Sequence, residues 1–152
     1  MDKDIWTELE DLKSENEIEI VELDEMHTYI GNKKNIVGYG LLLIELGKKF
    51  INCSFGSRGT KTGQKLWKKL EKKEIGRVMT DNWKAYAEFL PDEVHTRSKA
   101  ETYTVEGYNS IFRHFLARLR RKTKCYTKSL GMLKHSVLLL MKYRNNELTI
   151  LN

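Results

Sequence analysis

The first half of the chain alternates apolar and polar positions in a way that predicts three consecutive β-strands. The alternation EIEIVELDE begins at Glu17, and a turn at 31–33 separates it from the apolar run IVGYGLLLIEL, which begins at Ile36. A second turn at 47–49 leads into FINCSF at 50–55. Because the middle run does not alternate, we expect its strand to be buried on both faces.

The apolar periodicity then changes to that of helices separated by short strands. It predicts a helix over 60–73, a strand over 77–80, a helix over 83–90 and a short strand over 94–96. Pro91, the single proline of the chain, ends the second of these helices because it lacks the amide proton that a helix needs.

The last third of the chain carries two apolar stripes at helical spacing, with the basic loop 120–124 between them. The first stripe consists of Val105, Tyr108, Phe112, Phe115, Leu116 and Leu119. The second consists of Leu130, Leu133, Val137, Leu140 and Met141. Each stripe predicts a helix with one face on a sheet.

This order of elements predicts one α/β domain of ribonuclease H-like architecture, a mixed five-stranded sheet flanked by helices. We expect the domain to span residues 17–146, since the chain shows neither repeats nor a low-complexity linker. Residues 1–16 are acidic, with Ile5, Leu9 and Leu12 at helical spacing, and form either a loose arm or a short helix. Residues 147–152 form a tail.

Charge is distributed unevenly around the formal net value of +6. Residues 1–25 contain eleven acidic and two basic side chains, whereas residues 97–144 contain twelve basic and two acidic ones. A basic half attracts polyanions, so nucleic acid or an acidic membrane surface is the expected partner. Charge alone equally permits a solvated lysine-rich face with no partner.

Several classes of protein are excluded by what the sequence lacks. Cys53 and Cys125 lie far apart, which argues against a disulfide framework and a zinc knuckle, and favours a reducing compartment. No apolar run reaches the roughly 18 residues of a membrane helix, and the acidic start is unlike a signal peptide. Neither a serine-nucleophile elbow nor a P-loop is present. We therefore expect a cytoplasmic protein without a membrane partner.

Three acidic residues are candidates for holding divalent cations. Asp24 lies late in the first predicted strand and Asp81 ends the fourth, and in this architecture those two strands are neighbours. Glu106 lies in the first turn of the next helix, on the face opposite its apolar stripe. Phosphodiester chemistry commonly uses two magnesium or manganese ions about 3.5–4 Å apart, held by two or three carboxylates. The three acids therefore predict a metal-dependent phosphodiester site.

Each of these acids also has a plain structural interpretation. An aspartate after a strand often forms a turn, and a glutamate in a first helical turn often only offsets the helix dipole. Spacing alone does not separate the three from their acidic neighbours Glu22, Glu25, Asp92, Glu93 and Glu101.

Basic and amide side chains near Glu106 point to DNA. Asn109 and Arg113 follow it at helical spacing, so one helix face offers a carboxylate, an amide and a guanidinium in a row. The basic cluster after this helix is predicted to grip a DNA backbone, and it comprises Arg118, Arg120, Arg121, Lys122 and Lys124.

Four segments resemble, in order, motifs of the insertion sequence 1 family of transposases. They are ELDE at 22–25, MTDNW at 79–83, SKAETYTVEGYN at 98–109 and FRHFLARLRRK at 112–122. The most specific parts are T-D-x-W and K-x-x-T-x-x-V-E-x-x-N, and the resemblance covers roughly residues 20–145.

The resemblance implies a DDE-type transposase, in which two aspartates and one glutamate hold two Mg²⁺ or Mn²⁺ ions. These acids carry over as Asp24, Asp81 and Glu106, with 24 residues between the last two. The resemblance also places Lys99, Thr102, Asn109 and Arg113 around the site, in contact with DNA or orienting the acids. Trp83 is implied as a packing residue behind Asp81. The family tends to show an aromatic residue shortly after the first acid, where this chain has His27.

The implied activity is DNA strand cleavage at the ends of an insertion sequence, followed by strand transfer into target DNA. The implied partners are double-stranded DNA, at transposon ends and target, and further copies of the chain in a synaptic complex. The family's zinc-finger and helix-turn-helix region does not match residues 1–17, which predicts that the chain is a catalytic half or a fragment. Two alternatives stay open: a stand-alone nuclease on the same fold, and a catalytically silent DNA-binding fragment.

Overall fold

The computed structural model describes residues 17–44, 48–57, 59–81, 83–97, 103–120 and 122–148. The side chains of Glu17 and of residues 103–105, which lie at the start of a strand and of a helix, are not described. The acidic segment predicted as an arm or short helix lies outside these ranges.

Five strands form one mixed sheet. They are β1 (Glu17–Tyr29), β2 (Ile36–Ile44), β3 (Lys49–Gly56), β4 (Glu74–Thr80) and β5 (His95–Arg97). Their order across the sheet is β3-β2-β1-β4-β5. The strand β2 is antiparallel to both β1 and β3, whereas β4 is parallel to both β1 and β5. The predicted mixed five-stranded sheet, with the first and fourth strands adjacent, is therefore confirmed.

Helices cover both faces of the sheet. The α-helices are α1 (Thr60–Leu70), α2 (Tyr103–Phe115) and α3 (Leu130–Arg144). Short 3₁₀ helices span Lys84–Glu88 and Ala117–Leu119. In the described part of the chain, no helix is both long enough and apolar enough to cross a bilayer.

The helix predicted over 83–90 is a 3₁₀ helix rather than an α-helix. Trp83, Tyr86 and Phe89 recur every third residue, which matches the three residues per turn of a 3₁₀ helix. Their rings meet edge to face, at centroid distances of 5.3 Å for the first pair and 6.0 Å for the second. Packing of these three rings against the core favours the tighter helix.

Two hydrophobic clusters lie on opposite faces of the sheet. One joins β2 and β3 to α2 and α3, and includes Phe50, Phe112 and Val137. The other joins the sheet to α1 and the 84–88 helix, and includes Leu66 and Tyr86. The strand β2 supplies both clusters, since Leu41 and Leu43 enter the first and Leu42 the second. The prediction of a strand buried on both faces is confirmed.

Two residues of the predicted apolar stripes lie largely outside the core. Phe115 is 57% exposed and Leu130 is 39% exposed. The helix α2 ends at Phe115, and the chain then turns so that Leu116 packs against the first cluster instead. The predicted single helix through Leu119 was therefore too long. The first predicted helix was also too long, because α1 ends at Leu70 and β4 already begins at Glu74.

A buried amide ties the end of α3 to the edge strand β3. Asn145 Oδ1 accepts a hydrogen bond from Phe50 N at 2.9 Å, and Asn145 Nδ2 donates to Phe50 O at 2.8 Å. The same Nδ2 donates to Glu147 Oε1 at 3.0 Å. Both backbone groups of Phe50 are thereby satisfied by one side chain.

We expect Asn145→Ala to lower the free energy of unfolding by about 2–3 kcal/mol, because it leaves a buried amide and a buried carbonyl unpaired. Urea unfolding followed by circular dichroism measures this change. Glu147→Ala is the matched control, since it removes only the bond at the exposed end, and it should cost less than about 0.5 kcal/mol. Equal effects of the two substitutions would contradict a clamp on Phe50.

Candidate active site

The register of β1 and β4 brings two aspartates side by side. Parallel pairing of these strands continues to Leu23 and Thr80, so that Asp24 and Asp81 follow at the next position on neighbouring strands. Neighbouring strands lie about 4.8 Å apart, and residues at matched positions point to the same face. Because β1 continues to Tyr29, Asp24 lies in mid-strand, on rigid backbone, rather than near the strand end as predicted.

Asp24 is held by the helix α2. Asn109 Nδ2 donates a hydrogen bond to Asp24 Oδ2, and the Asn109 side chain is only 3% exposed. Asn109 Oδ1 is buried and has no hydrogen-bond partner in the described part of the chain. One carboxylate and one unsatisfied amide oxygen thus meet between β1 and α2.

Asp81 is oriented by the chain that follows it. Its Oδ1 accepts a hydrogen bond from Trp83 N at 2.9 Å, and Trp83 packs against the core cluster that contains Tyr86. The preceding residue, Thr80, is fully buried and contacts His95 Nε2 on β5 through its hydroxyl at 2.8 Å. The backbone around Asp81 is therefore fixed on both sides.

Glu106 is the least closely held of the three predicted acids. It is exposed in the first turn of α2, one turn before Asn109, and its charge acts on Asp24. Within the described residues, no group of three His, Cys, Asp or Glu side chains stands close enough to hold a metal ion. The structure brings Asp24 and Asp81 together, and the charge of Glu106 acts on Asp24.

Burial raises the pKa of Asp24 from the ordinary 3.8 to about 6. A backbone hydrogen bond at Glu25 opposes this rise, while the charges of Asp81 and Glu106 increase it and that of Arg113 reduces it. The carboxyl group at the centre of the site is therefore costly to ionise without a cation.

This raised pKa predicts how stability changes with pH when no divalent cation is present. An acid whose folded pKa exceeds its unfolded pKa favours folding at low pH, and this contribution is lost as the pH rises from 3.8 through about 6. At pH 8 we expect Asp24→Asn to be more stable than the wild type by about 1–3 kcal/mol, and at pH 4 the two should be equal.

Thermal unfolding at both pH values, with EDTA and with Mg²⁺, measures the effect. Mg²⁺ at pH 8 should stabilise the wild type and leave Asp24→Asn unchanged. Asp92→Asn is the control: this carboxylate is exposed, so the variant should match the wild type at both pH values and should be stabilised by Mg²⁺ to the same extent. A wild type that is more stable than Asp24→Asn at pH 8 in EDTA would contradict a raised pKa of Asp24 in the folded protein.

Two cavities open along β1. The acid cavity, of about 140 Å³, is lined by Asp24, Glu25, Met26, His27, Asp81, Trp83 and Tyr86. The basic cavity, of about 440 Å³, is lined by Glu25, Met26, His27, Thr28, Tyr29, Arg113, Leu119 and Arg120. Sequence reasoning missed Tyr86 and ranked Glu25 among the decoys. The threefold spacing of aromatic residues after Asp81 is the signal that could have indicated Tyr86.

The residues predicted to bind DNA fall into different surroundings. Lys99, Thr102 and Arg121 lie outside the described residues. Asn109 is buried against Asp24 rather than presented to solvent. Arg113 lines the basic cavity and its charge reaches Asp24.

The basic side chains that follow α2 differ in how exposed they are. Arg118 is partly buried, and its Nη1 donates to Ser136 Oγ on α3 at 3.3 Å. Its carbonyl oxygen accepts a hydrogen bond from Thr28 Oγ1 at 3.1 Å. By contrast, Arg120, Lys122 and Lys124 are exposed. Through these two hydrogen bonds, Arg118 connects the 117–119 helix to β1 and to α3.

Two solved viral structures have a similar fold. A chain of the simian T-cell lymphotropic virus intasome, solved with PP2A regulatory subunit B56 gamma, superposes with a TM-score of 0.59 at 13% identity, covering 89% of this chain and 50% of that one. The HTLV-2 integrase catalytic core domain, solved with magnesium, gives a TM-score of 0.52 at 15% identity and covers 89% of both chains. The domain therefore has the ribonuclease H-like fold of integrase catalytic cores.

Sequence comparison then gives the family. The family model described as IS1 transposase matches residues 18–145, so this chain belongs to the IS1 transposase family. The IS1 4 protein InsB of Escherichia coli is 33% identical over 111 residues, 73% of this chain and 66% of that protein. The IS1 protein InsB of Shigella sonnei is 32% identical over 111 residues, 73% of this chain and 85% of that protein. The chain thus spans 66% of the length of the Escherichia coli relative.

Proposed function

We propose that this chain is the catalytic part of a DDE-type DNA transposase, which cleaves DNA strands at the ends of an insertion sequence and joins them to target DNA. The observation that carries the proposal is the placement of Asp24 beside Asp81 on parallel strands, with the α2 amide of Asn109 on Asp24. Membership of the IS1 transposase family supports the same activity.

The oxygen atoms at the site suit a hard divalent cation. Two neighbouring carboxylates repel each other, and the unsatisfied amide oxygen of Asn109 lies beside them. Magnesium prefers oxygen donors and keeps several waters, so two or three carboxylates are sufficient. Asp24, Asp81 and Glu106 would hold two Mg²⁺ or Mn²⁺ ions, and the HTLV-2 integrase core was itself solved with magnesium.

Such ions supply charge stabilisation for the attacking and leaving oxygens of a phosphodiester. The side chains of this chain provide the orientation. The Asn109 amide and the Trp83 backbone amide each fix one aspartate oxygen, so neither carboxylate has to reorganise when DNA binds. Arg113 lies within electrostatic reach of Asp24, where it would contact a phosphate.

DNA backbone contacts would come from the basic segment after α2, at Arg120, Arg121 and Lys122, together with Lys99 and Thr102, which precede α2 in sequence. Of these, Arg120 and Lys122 are exposed. The partly buried Arg118 would support this segment from behind. The simian virus neighbour is part of an intasome. By analogy we infer that several copies of this chain assemble on DNA with two transposon ends and a target.

A strand-transfer assay tests the proposed function. The donor is a labelled duplex that carries the terminal repeat flanking the coding sequence and ends in a free 3′-hydroxyl. The target is a supercoiled plasmid, and Mg²⁺, Mn²⁺ and EDTA are compared. The expected result is a metal-dependent joined product, seen as label that comigrates with plasmid. Cleavage without joining would instead identify a stand-alone nuclease, and DNA binding without either reaction would identify a silent binding fragment.

A further inference from the structure

The basic cavity is larger than the metal site requires. It has a volume of about 440 Å³, compared with about 140 Å³ for the acid cavity. A volume of this size is within the range of small-molecule sites. The two cavities share Glu25, Met26 and His27, so they adjoin along β1.

The shared wall is a stretch of β1 beyond its pairing with β4. That pairing ends at Leu23 and Thr80, and a parallel bridge joins Ile30 to Thr127 further on. Between these points, the described strand pairing of β1 is with β2 on the other side. Along this stretch, the described residues place no strand beside β1 on the β4 side, and both cavities are lined by it.

Cationic and aromatic groups line the basic cavity in the combination that a nucleotide needs. Arg113 and Arg120 provide two guanidinium groups, which bind phosphate oxygens through paired hydrogen bonds. His27 and Tyr29 provide rings, with centroids 6.1 Å apart and an edge-to-face arrangement. Tyr29 also meets Tyr126 edge to face at 5.3 Å, which holds its ring in place. Met26 and Leu119 add apolar side chains to the lining.

We propose that the basic cavity binds one unpaired nucleotide of the DNA strand next to the phosphodiester at the acid cavity. The nucleotide phosphate lies on Arg113 and Arg120, and its base lies against His27 and Tyr29. A concave site of this size admits a single base that has left the duplex, whereas the duplex itself stays outside. Glu25 lines both cavities, and its carboxylate repels a phosphate. The nucleotide therefore does not bind with its phosphate beside Glu25. This proposal rests on the proposed function, because it deepens the substrate of the same site.

Binding assays without divalent cation test the proposal independently of catalysis. One probe is a blunt duplex, and the other is the same duplex with a two-nucleotide single-stranded end that carries 2-aminopurine. The wild type should bind the second probe about tenfold more tightly, since stacking on an aromatic ring contributes roughly that factor per base. The 2-aminopurine fluorescence should change on binding as its base leaves water for a ring.

Substitutions locate the effect. Tyr29→Ala and His27→Ala should each remove most of the preference for the single-stranded end, while Tyr29→Phe keeps the ring and should keep the preference. Tyr143→Ala is the matched control, since this half-exposed tyrosine lies on α3 away from the cavity. Lys122→Ala should weaken binding of both probes equally. Melting temperatures establish that each variant is folded, and His27→Ala covers the case in which loss of the Tyr126 contact unfolds Tyr29→Ala.

Equal affinity of the wild type for the two probes would overturn the nucleotide site, and so would an unchanged preference in folded His27→Ala and Tyr29→Ala. These outcomes are separate from failure of the proposed function. A chain that prefers the single-stranded end and yet joins no DNA with Mg²⁺ retains the nucleotide site and loses the transposase activity. A chain that joins DNA but does not prefer the single-stranded end has the transposase activity and lacks the nucleotide site.

Discussion

Replacement of Asp24, Asp81 or Glu106 by alanine is expected to lower the rate of strand transfer by roughly 10³-fold, which corresponds to a loss of several kcal/mol of transition-state stabilisation by metal ions. The reason is that each carboxylate would contribute a ligand that no neighbouring group replaces. Single-turnover assays with a labelled donor end measure the rate directly.

Folding should survive these substitutions, which separates them from general damage. Asp81→Ala removes one member of a repelling pair, so this metal-free variant should be at least as stable as the wild type. Asp24→Ala also leaves the buried Asn109 Nδ2 without its acceptor, which costs about 1–3 kcal/mol and offsets that gain. Asp92→Ala is the matched control, an exposed acid close to Asp81 in sequence that should keep full activity.

Of the three alanine substitutions, Glu106→Ala is the most informative. The structure holds Asp24 and Asp81 by backbone register, whereas Glu106 is exposed and its charge acts on Asp24. If Glu106→Ala retained strand transfer while Asp81→Ala lost it, the site would consist of two acids, and the third ligand would have to be sought elsewhere. Glu25, which lines the acid cavity, is the next acid to test.

The pair of aspartates could be predicted because strand order follows from pattern. Alternation around Asp24 and an apolar run before Asp81 each indicate a strand, and the ribonuclease H-like order makes those strands neighbours. The residue-by-residue register of β1 on β4 was not predictable in the same way. It depends on side-chain packing and on the close approach of strands, as at Gly76, where an added Cβ would stand 2.7 Å from the backbone oxygen of Glu19.

The helical part of the site was less accessible to sequence reasoning. Glu106, Asn109 and Arg113 recur on one helix face, and a face that is polar suggests exposure. The structure instead buries Asn109 against Asp24 and leaves Glu106 exposed. How far a helix rotates toward a sheet depends on the volumes packed beneath it, and those volumes come from residues distant in sequence. Arg118 shows the same limit, since its bond to Ser136 joins segments eighteen residues apart.

Phe112 anchors α2 against the sheet. Its side chain is completely buried in the cluster between the sheet and the helices α2 and α3. Its ring meets that of Phe50 edge to face at 5.2 Å, and Phe50 is the residue whose backbone is clamped by Asn145. Phe112 lies between Asn109 and Arg113 in sequence, so the packing of one ring positions both polar side chains relative to Asp24.

Phe112→Ala is therefore expected to lower the free energy of unfolding by about 3–5 kcal/mol, because it leaves a large cavity beneath α2. In a domain of this size, such a loss lowers the melting temperature by roughly 10 °C or more. Phe115→Ala is the matched control on the same helix, and its exposed ring should cost less than about 0.5 kcal/mol.

Activity provides a second measurement on the same variants. Phe112→Leu keeps most of the buried volume and should remain folded at 20 °C, but a shifted α2 would move Asn109 away from Asp24. We expect its strand-transfer rate to fall by about tenfold or more while that of Phe115→Ala stays unchanged, since small misplacements of catalytic groups have large kinetic effects. Full activity in a folded but destabilised Phe112→Leu would mean that α2 does not need this ring to present its polar face to Asp24.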